Sequence, residues 1–432
     1  MVLDAEFLSR IQFAFTVGFH ILFPTLNLGL ALFLAIMEGV WLKTRNPKYL
    51  ELCKFWTKIF ALTFGMGVVS GIVMSYELGT NFGRFTEAVG GVLGSLFAYE
   101  VLSAFFLEAG FLGVMLFGWN RVSPKLHYAA TFLVMIGTAI SAFWIMSANS
   151  WMQTPAGYEL KNGIFIVKSW WDVIFNPSVH VRFFHMMLAS YITTAFVIAA
   201  VSAYYLLRKR HVSVAKTCMS FAMWAALIVV PAQILMGDAV GLEVHKYQPL
   251  KTAAIEGVWE TGGSKPLLLF AVPDQEKQKN FFEIKIPYGA SLINTHSLDG
   301  ELLGLKSVPP KEQPYVPLVF YSFRIMVGIG MLFLLIALTG LYLRIRKRLY
   351  ESKTFLRICM LVAPLGFLAT ISGWVTAETG RQPWVVYGLL TTADGASIIP
   401  TVHVATSLTL FITVYVIIFG FYLYYLFKTI RK

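Results

Sequence analysis

Charge is what this chain has least of. Of its 432 residues, 13% are Asp, Glu, Lys or Arg and 57% are hydrophobic, for a mean hydropathy of +0.67. Soluble domains carry about 25% charged residues, so that class is excluded and a polytopic membrane protein remains. Cysteine is nearly absent: Cys53, Cys218 and Cys359 form no C-x-x-C pair, which excludes a disulfide framework and an iron–sulfur centre. The stretch from Met1 to Phe13 lacks a basic leader and a small-residue cleavage site, so the first apolar segment is expected to be a retained span. Internal repeats are also missing, which counts against a transporter built from inverted repeats.

What is present is apolar, aromatic and basic. Phe numbers 36 and Trp 11, giving flat surfaces that suit lipid or a flat macrocycle. The net charge of +12 would suggest nucleic acid in a soluble protein. Here the bases cluster between apolar runs, so they are read as membrane topology and no nucleic-acid partner is expected.

Nine runs can cross about 30 Å of hydrocarbon at 1.5 Å per residue. They lie near residues 13–37, 56–76, 92–118, 127–148, 181–207, 216–236, 316–343, 355–377 and 398–427. Lys43, Arg45, Lys48, Lys54 and Lys58 separate spans one and two. Arg121 and Lys125 follow span three, and Arg208, Lys209, Arg210 and Lys216 follow span five. Arg344, Arg346, Lys347, Arg348, Lys353 and Arg357 surround the turn from seven to eight, and Lys428, Arg431 and Lys432 end the chain. These loops alternate with base-poor ones, which places the N-terminus outside and the C-terminus in the cytoplasm. The expected fold is an all-α polytopic membrane protein with nine transmembrane helices. Residues 1–236 supply six helices, 237–315 a long external loop, and 316–432 the last three. The loop's Trp259, Phe270, Phe281, Phe282, Ile284 and Ile286 argue for an ordered lid.

Inside these spans sit groups that lipid rejects. His20, Glu100, His185 and Glu378 each cost about 2.5–3.5 kcal/mol unpaired at mid-membrane. Counted from the outer helix ends, they share the outer leaflet with Met326. A lone buried histidine is more often a satisfied core residue than a ligand. Two imidazoles, a thioether and carboxylates at one depth instead suggest a place to hold iron, and His/Met is a known haem ligand set. Glu108 follows Glu100 by eight residues, about 12 Å along the axis and about 80° around it, and the two are read as a proton relay. Glu378 and Arg381 are three apart and can pair if the helix continues. Arg324, just before Met326, could neutralise a carboxylate. His403 is a further candidate without a partner. His127, His180 and His211 fall in loops or at helix ends and carry little weight, and His245 and His296 lie in the long loop.

Taken together, these residues resemble subunit I of the cytochrome bd-type quinol oxidases over essentially the whole chain. The matching motifs are Leu8-Ser-Arg-Ile-Gln-Phe13 with His20, Lys54-Phe-Trp56, Gly79-Thr-Asn81, Glu100 with Phe105-Phe-Leu-Glu108, and Ala148-Asn-Ser-Trp-Met-Gln153. Further along come Lys251-Thr-Ala-Ala-Ile-Glu256 with Trp259-Glu-Thr261, Phe323-Arg-Ile-Met326, and Gly373-Trp374 leading to Gly380-Arg-Gln-Pro-Trp384. The resemblance implies three haems. His185 and Met326 match the ligands of a low-spin haem b; His20 and Glu378 match those of a high-spin haem b and a haem d (or a second high-spin haem b). Glu100 matches a carboxylate beside that pair and Glu108 one on the proton route. Lys251 and Glu256 match quinol-loop residues, Arg324 and Arg381 arginines near haem propionates, and Trp374 a cofactor-side tryptophan. Ser307-Val-Pro-Pro-Lys-Glu-Gln-Pro314 runs almost directly into span seven, marking a short quinol loop. The implied activity is quinol oxidation at the outer face coupled to reduction of O2 to water with cytoplasmic protons, charging the membrane without a pump. The implied setting is a prokaryotic cytoplasmic membrane, with a second large helical subunit and, optionally, a small single-span one.

Overall fold

The computed structural model describes residues 4–431. Nine helices among them are long and apolar enough to cross a membrane. In chain order they are α1 (Ala5–Thr44), α2 (Pro47–Asn81), α3 (Gly83–Phe117), α4 (Pro124–Gln153), α5 (Val179–Arg208), α6 (Val212–Tyr247), then, after a short helix α7 (Pro249–Glu256), α8 (Val316–Ile345), α9 (Lys353–Thr379) and α10 (Thr401–Arg431).

The helix ends follow local chemistry. Asp4 caps α1 by accepting from the Phe7 N–H at 2.8 Å, Asn46 caps α2 from Lys48 at 3.0 Å with Pro47 at the first helical position, and Ser123 caps α4 ahead of Pro124. Arg45 and Lys209 close α1 and α5 in left-handed conformations. The helices outrun the apolar stretches that announce them, because a helix needs apolar side chains only where it crosses lipid. The clearest case is α6. The sequence ends its span at residue 236 and starts the loop at 237, yet the helix continues to Tyr247. Asp238, Glu243, His245 and Lys246 interrupt the hydrophobicity without breaking the helix. Pro249 ends it, by disfavouring helical backbone in the residue before.

α1 and α5 are the most enclosed spans, and α10 is the least. α1 packs on α2, α4 and α5; α8 packs on α9 and α6. One apolar core around Trp56, Phe33, Phe60 and Phe196 contains all three cysteines, which are free and buried.

The long connection is ordered and is not purely helical. Strands β1 (Leu267–Asp274) and β2 (Lys279–Ile286) form an antiparallel hairpin, pairing Leu267 with Ile286 and Asp274 with Lys279. A buried cluster of Ala253, Ala254, Val258, Trp259, Leu302 and Leu305 seats the loop on Val316 and Val319 of α8. Tyr321 donates its hydroxyl to the Ala271 carbonyl at 2.9 Å, and Trp259 Nε1 donates to Asn280 at 2.9 Å. These contacts hold the loop over one end of the bundle, called the loop end below; the opposite end, called the basic end, carries the clusters Lys43–Lys58, Arg208–Lys216 and Arg344–Arg357.

Candidate functional site

At the loop end, Glu378 on the last turn of α9 lies among cations. Its Oε2 pairs with Arg381; the helix ends at Thr379, so this i,i+3 contact is made from the turn that follows it. Its Oε1 accepts from Asn149 at 3.0 Å and Gln153 at 3.3 Å, both on the last turns of α4. Arg182 of α5 donates to Asn149 and, at 2.9 Å, to Ser150. Lys251 of α7 donates to Gln153 Oε1 at 2.5 Å, so the loop lysine reaches Glu378 through one amide. Gly380 permits this approach: a Cβ there would sit 2.6 Å from Lys251 Cγ. Burial first, then the charges of Arg182 and Arg381, presses the Lys251 ammonium well below the usual lysine range.

Two guanidinium groups and the Lys251 amine thus surround one carboxylate. Arg381 is 4% exposed, and its Nε and Nη1 donors have no partner among the described residues. An unmet buried donor costs about 1–3 kcal/mol, so this pocket fits a further anionic oxygen such as a haem propionate.

The other expected ligands share a geometric feature. A Cβ on Gly71 would lie 3.3 Å from His20 Cε1, one on Gly237 3.5 Å from His185 Cε1, and one on Gly373 2.7 Å from Met326 Sδ. Each side chain therefore lies against the bare backbone of a glycine on a neighbouring helix. His20 Nδ1 is 2.9 Å from Ser70 Oγ, and Gln233 Nε2 is 3.1 Å from His185 Nε2. Trp374 follows Gly373 on α9 and is half-buried. No group of three or more His, Cys, Asp or Glu converges to hold a bare metal ion among the described residues. Donors offered one or two at a time fit a metal whose macrocycle supplies the remaining nitrogens.

Lys251 and Glu256 both lie on α7 and both are buried. Glu256 accepts from Asn294 at 3.2 Å and meets Arg324 at 3.5 Å. Arg324 spends its other donors on the Ile255 and Leu268 carbonyls and lies over the Phe320 ring at 3.6 Å. In this structure the arginine clamps the loop to α8, and the carboxylate it meets is Glu256.

Glu100 and Glu108 both face α4. Ser141 donates to Glu100 at 2.6 Å, and Glu108 Cγ lies 2.7 Å from where a Cβ on Gly137 would be. An uninterrupted helix would not align them so closely. Residues Val101–Phe105 form a wide turn in which the Phe106 N–H bonds the Val101 carbonyl. The extra residue puts Glu108 where a regular helix carries i+7, about 20° from Glu100 instead of about 80°. Glu108 is 5% exposed and its Oε1 is buried without a partner.

Several polar residues escaped sequence reading. Arg182 is an arginine in an apolar span three residues before His185, a signal that membrane energetics would have flagged. Glu77 is fully buried and accepts from Thr16 at 2.5 Å. His127, set aside as a helix-end residue, is 1% exposed and bonds Glu38 at 2.6 Å. His180 is exposed against Phe175, and His403 is exposed at the start of α10.

The fold and this site define a multi-pass membrane protein with a buried carboxylate, Glu378, surrounded by basic side chains under an ordered loop. The profile of the family described as cytochrome bd terminal oxidase subunit I matches residues 8–432. The chain is 40% identical over 400 residues to cytochrome bd ubiquinol oxidase subunit 1 of Bacillus subtilis (strain 168), covering 90% of this chain and 86% of that one. It is 33% identical over 480 residues to cytochrome bd-II ubiquinol oxidase subunit 1 of Escherichia coli (strain K12), covering 95% and 93%. A chain of the solved bd oxidase from Geobacillus thermodenitrificans superposes with a TM-score of 0.93 at 32% identity, covering 99% and 98%. The chain belongs to this family: it is subunit I of a cytochrome bd-type quinol oxidase, a haem-dependent membrane enzyme.

Proposed function

We propose that this chain carries three haems and joins quinol oxidation at its loop end to the formation of water from O2. His185 and Met326 would hold a low-spin haem b. His20 and Glu378 would each hold a high-spin haem, one of b type and the other d or b. Bound there, these groups supply one-electron transfer and O2 activation. Arg381 offers its unmet N–H groups to a propionate. Lys251 and Glu256 accept the protons of quinol beneath the loop, the lysine from a buried position that favours its neutral amine. Arg324 holds α7 in register for this by tying Glu256 to α8. Glu108 and Glu100, aligned on α4, hand inward the protons that water formation consumes. With the loop end outside and the basic end in the cytoplasm of a prokaryotic cell, the two proton sources lie on opposite sides, and turnover charges the membrane without a pump. A second large helical subunit, with or without a small single-span one, completes the complex.

The observation that carries this reading is the contact series Lys251–Gln153–Glu378, which connects the loop to the buried ligand array. A reduced-minus-oxidised optical spectrum of the purified complex should show three haems, and His185→Ala should remove the low-spin one alone. Quinol-driven oxygen uptake separates the proposal from a b-type cytochrome that delivers electrons elsewhere.

A further inference from the structure

One face of α4 carries more than the two carboxylates described. His127, Thr131, Val134, Thr138 and Ser141 are spaced four, three, four and three residues apart, so they form a single stripe along the helix. Glu108 and Glu100 meet this stripe at Gly137 and Ser141. A third carboxylate meets it near the basic end. Glu38 of α1 is 1% exposed, and its Oε1 lies 2.6 Å from His127 Nδ1 while its Oε2 accepts from Thr131 at 2.6 Å.

His127 is buried to the same degree, and its Nε2 has no partner among the described residues. Trp119 covers the imidazole with ring centroids 3.8 Å apart. Lys54 of α2 stands over Trp119 at 5.9 Å, Cys53 of α2 lies within electrostatic reach of Glu38, and Tyr128 of α4 borders Gly39. Those are the titratable and charged neighbours that the packed elements bring to the pair.

A clasp between α1 and α4 does not require this chemistry. Replacing a buried ion pair with apolar side chains of similar volume is often neutral or stabilising, so such a pair needs another reason. Its position supplies one. Glu38 lies six residues from the basic end of α1, about 9 Å in, and its α4 contacts lie about 12 Å along the axis from Gly137, where Glu108 sits. The Thr131 hydroxyl opens that interval, and the Thr138 hydroxyl stands one residue past Gly137.

We propose that Glu38 and His127 form the proton-loading pair that feeds Glu108. This rests on the proton route proposed above. His127 Nε2 takes a proton from water at the basic end, giving an imidazolium beside the Glu38 carboxylate. The Nδ1 proton passes to Glu38, leaving neutral imidazole and a carboxylic acid. The acid releases its proton along the Thr131 hydroxyl towards Glu108, which restores the carboxylate, and a half-turn of the imidazole ring brings its remaining N–H back to Glu38 so that the bare nitrogen can take the next proton. No oxidant or other reactant is needed.

The test uses the assembled oxidase carrying Glu38→Gln, His127→Gln or Glu108→Gln, each accepted only if its haem spectrum is intact. Oxygen uptake with quinol, its solvent isotope effect, and proton uptake after an oxygen pulse are measured. Glu38→Gln and His127→Gln should each slow oxygen uptake at least ten-fold, raise the isotope effect and delay proton uptake, with Glu38→Asp recovering part of the rate. A purely structural clasp would not move the isotope effect. Unchanged rates and isotope effects in both variants, with Glu108→Gln still impaired, would overturn the loading pair and leave the Glu108 route standing. An unimpaired Glu108→Gln would overturn the route itself, and the pair with it. Should Glu38→Gln fail to assemble, His127→Gln, which keeps a donor for the carboxylate, decides by the same readouts.

Discussion

Glu378 and Glu108 are both carboxylates in apolar spans, and their surroundings are opposites. Glu378 is gripped by Arg381, Asn149 and Gln153, with Arg182 and Lys251 a single side chain away. Glu108 has one oxygen buried with no partner, and only a glycine beneath it. A carboxylate held by donors on several helices is fixed in place and in charge, which suits a ligand or an anchor. One with an open oxygen against bare backbone has room to take up and release a proton. The same residue type therefore sits in two environments, each suited to a different task.

Breaking the gripped site should do the most damage. Glu378→Ala leaves the buried Arg381 and the neighbouring Arg182 without their anion, and removing one partner of a buried pair costs about 3–5 kcal/mol. The expected outcome is loss of one haem signal from the optical spectrum and a lower thermal midpoint. Glu108→Gln should leave the spectrum and the midpoint as they are while oxygen uptake falls about 10²-fold, the scale of a lost proton-transfer group. If Glu108→Gln costs stability as Glu378→Ala does, the contrast between them fails.

Lys251→Met tests the link between loop and array. Because the lysine's pKa is pressed down, its neutral amine persists to lower pH than in a free lysine, and falling pH protonates it. Quinol oxidation in the unsubstituted enzyme should therefore decline on the acid side, and Lys251→Met should be slow, by up to about 10²-fold, and lose that acid limb. A pH–rate profile decides. The smallest effect is expected at Gly137→Ala, where the added Cβ meets Glu108 Cγ. Overpacking of that kind costs about 1–3 kcal/mol. Thermal melts of the haem spectrum would measure it, and oxygen uptake should fall less than in Glu108→Gln.

How much could be read beforehand depends on the kind of residue. His185 stood out because an ionisable residue in an apolar span is rare, whereas Met326 drew notice only through its depth beside that histidine. The nine spans were legible because hydrophobicity and loop charge are both local signals. Arg182 and Glu38 were present in the same apolar spans and went unread, since no partner for either lies nearby in sequence. Glu38 meets His127 across 89 residues, and Asn149 meets Glu378 across 229. The alignment of Glu100 with Glu108 was misjudged for a different reason: it depends on one wide turn, and a regular 3.6-residue period cannot foresee it. The long loop starts eleven residues later than the apolar run implies, at 248 instead of 237, because the end of an apolar run is not the end of a helix.

Composition and loop charge alone were enough to read this chain as a membrane protein with nine apolar spanning helices among its described residues. Those properties follow from composition and periodicity, which act over a few turns of chain. Tertiary structure alone decided which carboxylate is gripped and which is left open, that a loop lysine reaches Glu378 through Gln153, and that a glycine lies beneath each of His20, His185 and Met326. Those outcomes depend on side chains meeting across helices far apart in sequence, where electrostatics and close packing, not local pattern, set the result.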